Sequence, residues 1–298
     1  MEEYSHIQDE CGLEGVIDMH LHAEPDSPKA WWASDKADML NHCLGAGYRA
    51  VLFIGNDWPT HREAWLLSRR IKGIRAFGGL TFSFCHGSRI NLGAVERCLS
   101  DSASSSFRCV WLPTTDADFD RQAKGCRGIP VLDEHGNVLP EVLDLMALCR
   151  DAGIMLGTGH AGPDGATALA KAAKRVHLET LVITQSMLSP RGLSSTQLQY
   201  CLDQGAYLEH VLLAAFKGEG HSLISAHRKH AYVSIADMAH IIRLAPEKQF
   251  LGTDLNQILA PHPVGAMRLF LRNLKEAGLS REDILCVSRR VPARLLRL

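Results

Sequence analysis

Two histidines separated by one residue, His20 and His22, stand at the end of the apolar run Gly15-Val16-Ile17-Asp18-Met19-His20. Side chains alternate along an extended strand, so residues two apart share a face. Both imidazoles can then point at one ion, held at about 2.0–2.2 Å. Asp57 follows a second apolar run, with His61 just beyond it. Asp57 is either a ligand or a helix cap, and His61 either a ligand or a surface residue of a first helical turn. His160 follows a further run in Thr158-Gly159-His160, and Asp254 another in Gly252-Thr253-Asp254. An acid at Asp254 is a ligand, a proton acceptor or a helix cap. Glu209 and His210 are adjacent within one run. On a regular strand they face opposite ways, and only a bulge would turn both to the same side.

Histidine is a common metal ligand and an acid–base group near neutral pH, and the 298 residues contain 15 of them. Thirty-two Lys and Arg against 33 Asp and Glu leave a net charge of −1. That excludes a protein whose main task is coating a nucleic-acid backbone, which needs surplus cations. Apolar residues make up 46% and charged residues 22%, enough for a large core. No apolar run approaches the ~20 residues needed to span a bilayer. The start, Met1-Glu2-Glu3-Tyr4, is acidic and unlike a signal peptide, so a cytosolic protein is expected. The nine cysteines, from Cys11 to Cys286, include no C-x-x-C pair and are read as reduced thiols. Neither a P-loop nor a G-x-G-x-x-G fingerprint is present.

Positioning the candidate ligands requires a scaffold. Eight short apolar runs alternate with helical patterns: 15–20, 50–54, 75–80, 109–112, 154–158, 180–184, 207–212 and 250–253. Strands buried on both faces and alternating with helices argue for a parallel sheet. Eight such units argue for a (β/α)8 barrel of the TIM type rather than an open sheet, and such a barrel fits this length as one domain. The domain is expected to span 1–298, with a hairpin insertion near 125–139 and a closing C-terminal helix over 281–296. Chemistry on such a barrel sits where strands end, which is where His20, His22, Asp57, His160, Glu209 or His210, and Asp254 fall. His6, His42, His135, His177, His227, His230 and His240 lie in expected helices, hairpins or termini and are read as ordinary. His86, His221 and His262 lie in loops near the mouth, within reach of a substrate.

The ordered set Asp18-Met19-His20-Leu21-His22, Trp58-Pro59-Thr60, Phe77-Gly78-Gly79, Gly128-Ile129-Pro130-Val131-Leu132-Asp133, Gly157-Thr158-Gly159-His160, Gly205 to His210, Thr253-Asp254-Leu255 and Pro292 to Leu296 resembles the amidohydrolase superfamily. The chain is similar, over nearly its whole length, to an uncharacterised amidohydrolase-like family. That resemblance implies a metal-dependent barrel. Two departures stand out. The usual histidine at the end of strand six is replaced in Thr184-Gln185-Ser186, and the usual Lys-x-His at the end of strand two by Gly55-Asn56-Asp57. Strand four ends in Pro113-Thr114-Thr115-Asp116, without a lysine to bridge two zinc ions.

Gln is a poor zinc ligand and Asp57 adds a hard oxygen, so the donor set suits iron or manganese as well as zinc. The departures resemble the non-haem diiron monooxygenases on this fold, which hydroxylate a diterpenoid acyl-CoA ester in platensimycin and platencin biosynthesis. That resemblance implies two irons. His20, His22 and Asp254 would hold one, and Asp57, His61 and His160 the other, with Glu209 or His210 completing the set. Gln185 would hydrogen-bond a ligand or a bound water. Dioxygen, an electron donor and the acyl-CoA ester would be partners, with Trp58, Phe82, Phe84 and Trp111 near the expected mouth. A homo-oligomer is compatible with the sequence; a nucleic-acid or membrane partner is not expected. The alternative is a metal-dependent hydrolase in which Asp254 takes the proton of an activated water. A non-enzymatic binding protein is disfavoured by the retained His and Asp set, since charged groups in a desolvated mouth are costly.

Overall fold

The eight apolar runs become eight strands in a computed structural model that describes residues 12–26 and 32–298. Met1-Glu2-Glu3-Tyr4, His6 and Cys11 lie outside the described residues. Strand β1 (Ile17–Leu21) leads to α1 (Lys36–Gly45), β2 (Ala50–Phe53) to α2 (His61–Arg70), β3 (Arg75–Thr81) to α3 (Leu92–Ser100), and β4 (Phe107–Trp111) to α4 (Asp118–Gln122) and α5 (Pro140–Ala152). Then β5 (Met155–Gly157) leads to α6 (Gly162–Arg175), β6 (Leu181–Ile183) to α7 (Ser195–Asp203), and β7 (Tyr207–Val211) to α8 (Ser225–Arg228) and α9 (Ile235–Ile242). Finally β8 (Gln249–Gly252) leads to α10 (Pro263–Glu276), α11 (Arg281–Leu285) and α12 (Val291–Leu296). The strands are parallel and lie in sequence order, which is the (β/α)8 barrel.

Alternation divides the side chains. Ile17, Met19, Leu52, Phe77, Trp111 and Phe250 fill the barrel interior. Leu21, Val51 and Phe53 pack outward under the helices. Val291, Leu295 and Leu296 join the interior cluster and close the end where strands begin, with Arg108 Nε donating to the Leu296 carbonyl at 3.0 Å. At Gly79 of β3 the walls are so close that an added Cβ would lie 1.9 Å from the Cys109 carbonyl oxygen, so only glycine fits. Leu132 and Val138 form an antiparallel bridge between α4 and α5. The cysteines in the described residues are free thiols. Among the described residues, no helix is long and apolar enough to cross a membrane.

The strand that carries the H-x-H pair is irregular. Asp18 aligns with Val51 but Leu21 aligns with Phe53, so two residues of β1, Met19 and His20, stand opposite one of β2. This bulge lets Asp18 and Leu21 both face outward while His20 and His22 face the lumen. The seam between β8 and β1 is closed at the same place. Asp254 N–H donates to the His20 carbonyl at 2.8 Å. Thr253 donates to Asp18 from its N–H at 2.9 Å and from its hydroxyl at 2.6 Å. The ligand-bearing ends of β1 and β8 are therefore tied to each other.

Strand β7 is regular, and this settles Glu209 against His210. Glu209 faces inward and His210 outward, where its Nε2 lies 2.7 Å from Gln249 Oε1. Gln249 Nε2 donates to the carbonyls of Ile241, Ile242 and Ala245 at 2.9, 3.2 and 3.1 Å, capping the end of α9. His210 is thus part of a buried structural bridge. Gln249→Ala strips these carbonyls of their donor and should destabilise the fold by about 1–2 kcal/mol. The check is a lowered urea midpoint at an unchanged slope; an unmoved midpoint would show that the bridge contributes nothing.

Candidate metal centre

His20, His22 and Asp254 converge at the C-terminal mouth of the barrel, with their ligand atoms all within 4.8 Å of one another and all three residues buried. His20 Nε2 and His22 Nε2 each lie 3.5 Å from Asp254 Oδ1. That is too long for a firm N–H···O bond. It is close to the ~3.4 Å that separates two ligand atoms on a tetrahedral ion with bonds of ~2.1 Å.

Each imidazole has its other nitrogen turned to a carboxylate. His20 Nδ1 lies 3.1 Å from Glu209 Oε1. A carboxylate can only accept, so Nδ1 carries a hydrogen and Nε2 is the nitrogen left to face an ion. That Nε2 is buried and has no hydrogen-bond partner. His22 Nδ1 stands 3.5 Å from Asp26 Oδ2, and the Trp32 ring stacks on His22 at 4.4 Å and 5°. Asp26 is itself held by the N–H and side-chain amide of Asn56 at 2.7 and 2.9 Å. Carboxylate–histidine pairs of this kind orient metal-binding imidazoles. The donor chemistry, the buried unpartnered nitrogen and the spacing all fit a divalent ion.

Asp254 is fixed from the other side. Gln185 Nε2 donates to Asp254 Oδ2 at 2.5 Å, and Gln185 N–H donates to Glu209 Oε2 at 2.7 Å. Both residues carry left-handed backbones, with φ 50° at Gln185 and 54° at Asp254. Non-glycine residues adopt such angles at a cost, which the surrounding bonds impose here. Gln185 Oε1 accepts from Arg191 Nη2 at 3.0 Å. Arg191 Nη1 reaches both oxygens of Asp120, at 3.2 and 2.9 Å, and Asp120 Oδ2 lies 2.7 Å from His160 Nδ1. One polar chain thus runs from His160 through Asp120, Arg191 and Gln185 to Asp254.

The charges follow the geometry. Burial alone would push His20 down, but the Glu209 and Asp254 carboxylates raise it to about 9. His22 is likewise raised, against burial, by the facing Asp254 and Asp26 carboxylates. Burial would raise Asp254, yet the facing His20 and His22 and the Lys217 ammonium hold it well below the ordinary carboxylate range. Burial and the Arg191 charge press His160 down to about 4, so its ring is neutral at pH 7. Asp120, with His160 and Arg191 on it, is held at about 2 against burial.

Five residues expected as ligands do not join the three. His61 is the first residue of α2 and packs outside the barrel wall, with Nε2 3.0 Å from Asp101 and its ring edge-on to Phe107. The cause is the loop before it, which turns back onto the wall. Thr60 Oγ1 donates to the Phe53 carbonyl at 2.8 Å and accepts from Gly79 N–H at 3.0 Å. His210 faces outward on β7, as described. Glu209 faces the lumen, but both of its oxygens are engaged by His20 and Gln185. Asp57 is buried and its charge acts on His86. His160 is turned to Asp120. Among the described residues, His20, His22 and Asp254 are the one group of three or more His, Cys, Asp or Glu whose ligand atoms come together closely enough to hold a metal ion. Of the aromatic residues expected near the mouth, Phe82 and Trp111 are core, while Trp58 and Phe84 are exposed.

Asp26, Asp120, Arg191 and Lys217 were not singled out from the sequence. Asp120, Arg191 and Lys217 sit in the segments after β4, β6 and β7, so a search of those segments for every charge, rather than for metal ligands alone, would have reached them. The same search of the segment after β1 would have reached Asp26, though not its partner Asn56 on another loop.

The model of a family described as "Family of unknown function (DUF6282)" matches residues 15–209. No curated protein matches the chain. Among solved structures, an amidohydrolase from Pseudomonas aeruginosa superposes with a TM-score of 0.63 at 15% identity, covering 97% of each chain. A metallopeptidase described as dipeptidase AC gives 0.63 at 12% identity, covering 96% of this chain and 98% of its own. A dihydroorotase gives 0.59 at 12% identity, covering 96% and 83%. At these identities the likeness shows a shared barrel fold.

Proposed function

The chain belongs to the DUF6282 family, and we propose that this member is a metal-dependent hydrolase holding one divalent ion between His20, His22 and Asp254. The observation that carries this reading is the buried, unpartnered Nε2 of His20 at the same 3.5 Å from Asp254 Oδ1 as the Nε2 of His22. Three protein ligands with a position left open are the pattern of catalytic rather than structural zinc. The amidohydrolase, dipeptidase and dihydroorotase folds above support hydrolysis as the chemistry.

Such an ion, when bound, lowers the pKa of a water toward ~7 and polarises a carbonyl. The protein's own groups do the rest. Glu209 keeps the hydrogen of His20 on Nδ1, and Asp26 turns His22. Gln185 occupies Asp254 Oδ2, so both oxygens of Asp254 are committed. Asp254 then has no free oxygen for a proton, and we assign the acceptor's part to His160, whose ring is neutral at pH 7. The Asp120 carboxylate accepts from its Nδ1–H and leaves Nε2 free to take a proton.

A second reading, a non-haem iron monooxygenase, is favoured by the same donors, since two histidines and one carboxylate with open positions are also the iron(II) oxygenase pattern. On that reading dioxygen, an electron donor and a diterpenoid acyl-CoA ester are partners, and one iron is held rather than two. Elemental analysis of protein purified without added metal separates the readings. About one zinc per chain, with cleavage of a dipeptide or cyclic-amide panel that stops on chelation, is expected. About one iron per chain, with substrate-dependent oxygen uptake and no hydrolysis, would overturn the hydrolase reading.

A further inference from the structure

Two cations at the barrel mouth, buried Lys217 and half-buried Arg191, have donors left over. Lys217 follows a short turn of helix after β7, is 6% exposed, and makes no hydrogen bond or ion pair among the described residues. Arg191 spends its two terminal nitrogens on Asp120 and Gln185, but its Nε–H is buried and has no partner. The two cations are close enough to repel. Burial and the Arg191 charge together press Lys217 down to about 8, so it is still mostly an ammonium at pH 7. The nearest carboxylates, Asp254 and Asp120, are taken by other groups. A buried ammonium without a counter-ion is costly, and an anionic ligand relieves that cost.

An apolar pocket of about 540 Å³ adjoins this place, lined by Leu213, Phe216, Leu223, Ile224, Ile258 and Leu259. Its residues come from the loops after β7 and β8, and Leu213 N–H donates to the Thr253 carbonyl at 3.1 Å, beside Asp254. Leu223, Ile258 and Leu259 are 73%, 55% and 57% exposed, an unusual cost on a mouth that binds nothing apolar. Phe216 of the lining directly precedes Lys217. His227 joins the two regions. It lines the pocket, its carbonyl accepts from Gly218 N–H at 3.1 Å, and its ring feels the charges of both Lys217 and Asp254.

We propose that Lys217 and the Arg191 Nε–H form a carboxylate-binding subsite beside the metal position, and that the adjoining pocket takes the hydrocarbon body of the same substrate. The substrate class is thus an apolar acid with a hydrolysable bond near its carboxylate, an assignment that rests on the hydrolase reading for its reaction. Lys217 supplies the charge, Arg191 a fixed donor, and the exposed leucine and isoleucine side chains cover the body as it enters.

Calorimetric titration with octanoate, acetate and octanamide tests this on the metal-loaded protein. Octanoate should bind, with acetate and octanamide each weaker by about tenfold or more, since one lacks the body and the other the charge. Lys217→Gln should weaken octanoate by about tenfold or more and leave octanamide within about twofold, while Lys217→Arg retains most of the octanoate affinity. Leu223→Asp should weaken octanoate but not acetate. The Lys217 effect should survive removal of the metal by chelation, because side chains build the subsite. Equal octanoate affinity in Lys217→Gln and the parent, equal affinity for octanamide and octanoate, or no octanoate binding would overturn the subsite. Failure to hydrolyse anything, with Lys217-dependent octanoate binding intact, would count against the hydrolase reading alone.

Discussion

The His20→Ala variant is expected to lose its metal and its turnover together. Structural zinc sites are worth about 10–16 kcal/mol of binding free energy, so one ligand among three carries roughly 3–5 kcal/mol, on the order of a hundredfold to a few thousandfold in affinity. Two features of this site put His20 at the upper end. Its Nε2 is already buried without a hydrogen-bond partner, so little desolvation remains to be met when an ion displaces its proton. Its removal also leaves Glu209 Oε1 buried without its imidazole donor, an added unsatisfied charge in the mouth. The fold should survive, because the β1–β8 seam at this point is closed by the His20 backbone carbonyl, which accepts from Asp254 N–H, and by Asp18 with Thr253. Competition against a chelating dye reads the affinity, and the urea midpoint reads the fold. Parental metal content in a folded His20→Ala protein would show that the ion is held elsewhere.

The same residues show what a sequence can and cannot reveal about such a site. The barrel was legible because every strand is apolar on both faces and every helix begins soon after. His20, His22 and Asp254 were legible because they end the first and last runs, which a closed barrel must bring side by side. The choice between Glu209 and His210 was legible as an alternative, and the regular alternation of β7 resolves it. The bulge at Met19 and His20 was not legible. It appears only in the pairing of Asp18 with Val51 and Leu21 with Phe53, a property of two strands rather than of one.

His61 misled for a related reason. Its distance along the chain from β2 suggested the mouth, but Thr60 folds the loop back onto the outer wall through bonds to Phe53 and Gly79. The polar chain from His160 to Asp254 was hidden by sequence distance. Its links pair residues on the segments after β4, β5, β6 and β8, and nothing local in any one of them announces the others.

Glu209→Gln should weaken metal binding by about 10–100-fold, although Glu209 touches no ion in this arrangement. The reason is the number of acceptors. The carboxylate accepts twice, from His20 Nδ1–H at Oε1 and from Gln185 N–H at Oε2. A glutamine can accept at only one end. If its carbonyl faces His20, its NH2 meets the Gln185 N–H, and a buried backbone donor on a left-handed residue loses its acceptor. That would loosen the Gln185 side chain that holds Asp254 Oδ2. If its NH2 faces His20 instead, Nδ1 must accept, the ring hydrogen moves to Nε2, and the atom that should bind the ion becomes a donor. Either orientation damages the site, one through Asp254 and the other through His20. The volume is unchanged, so the fold should be nearly unaffected. An affinity equal to the parent's, measured by the same chelator competition, would mean that the His20 tautomer is set by the ion alone and that Glu209 serves only the packing of β7.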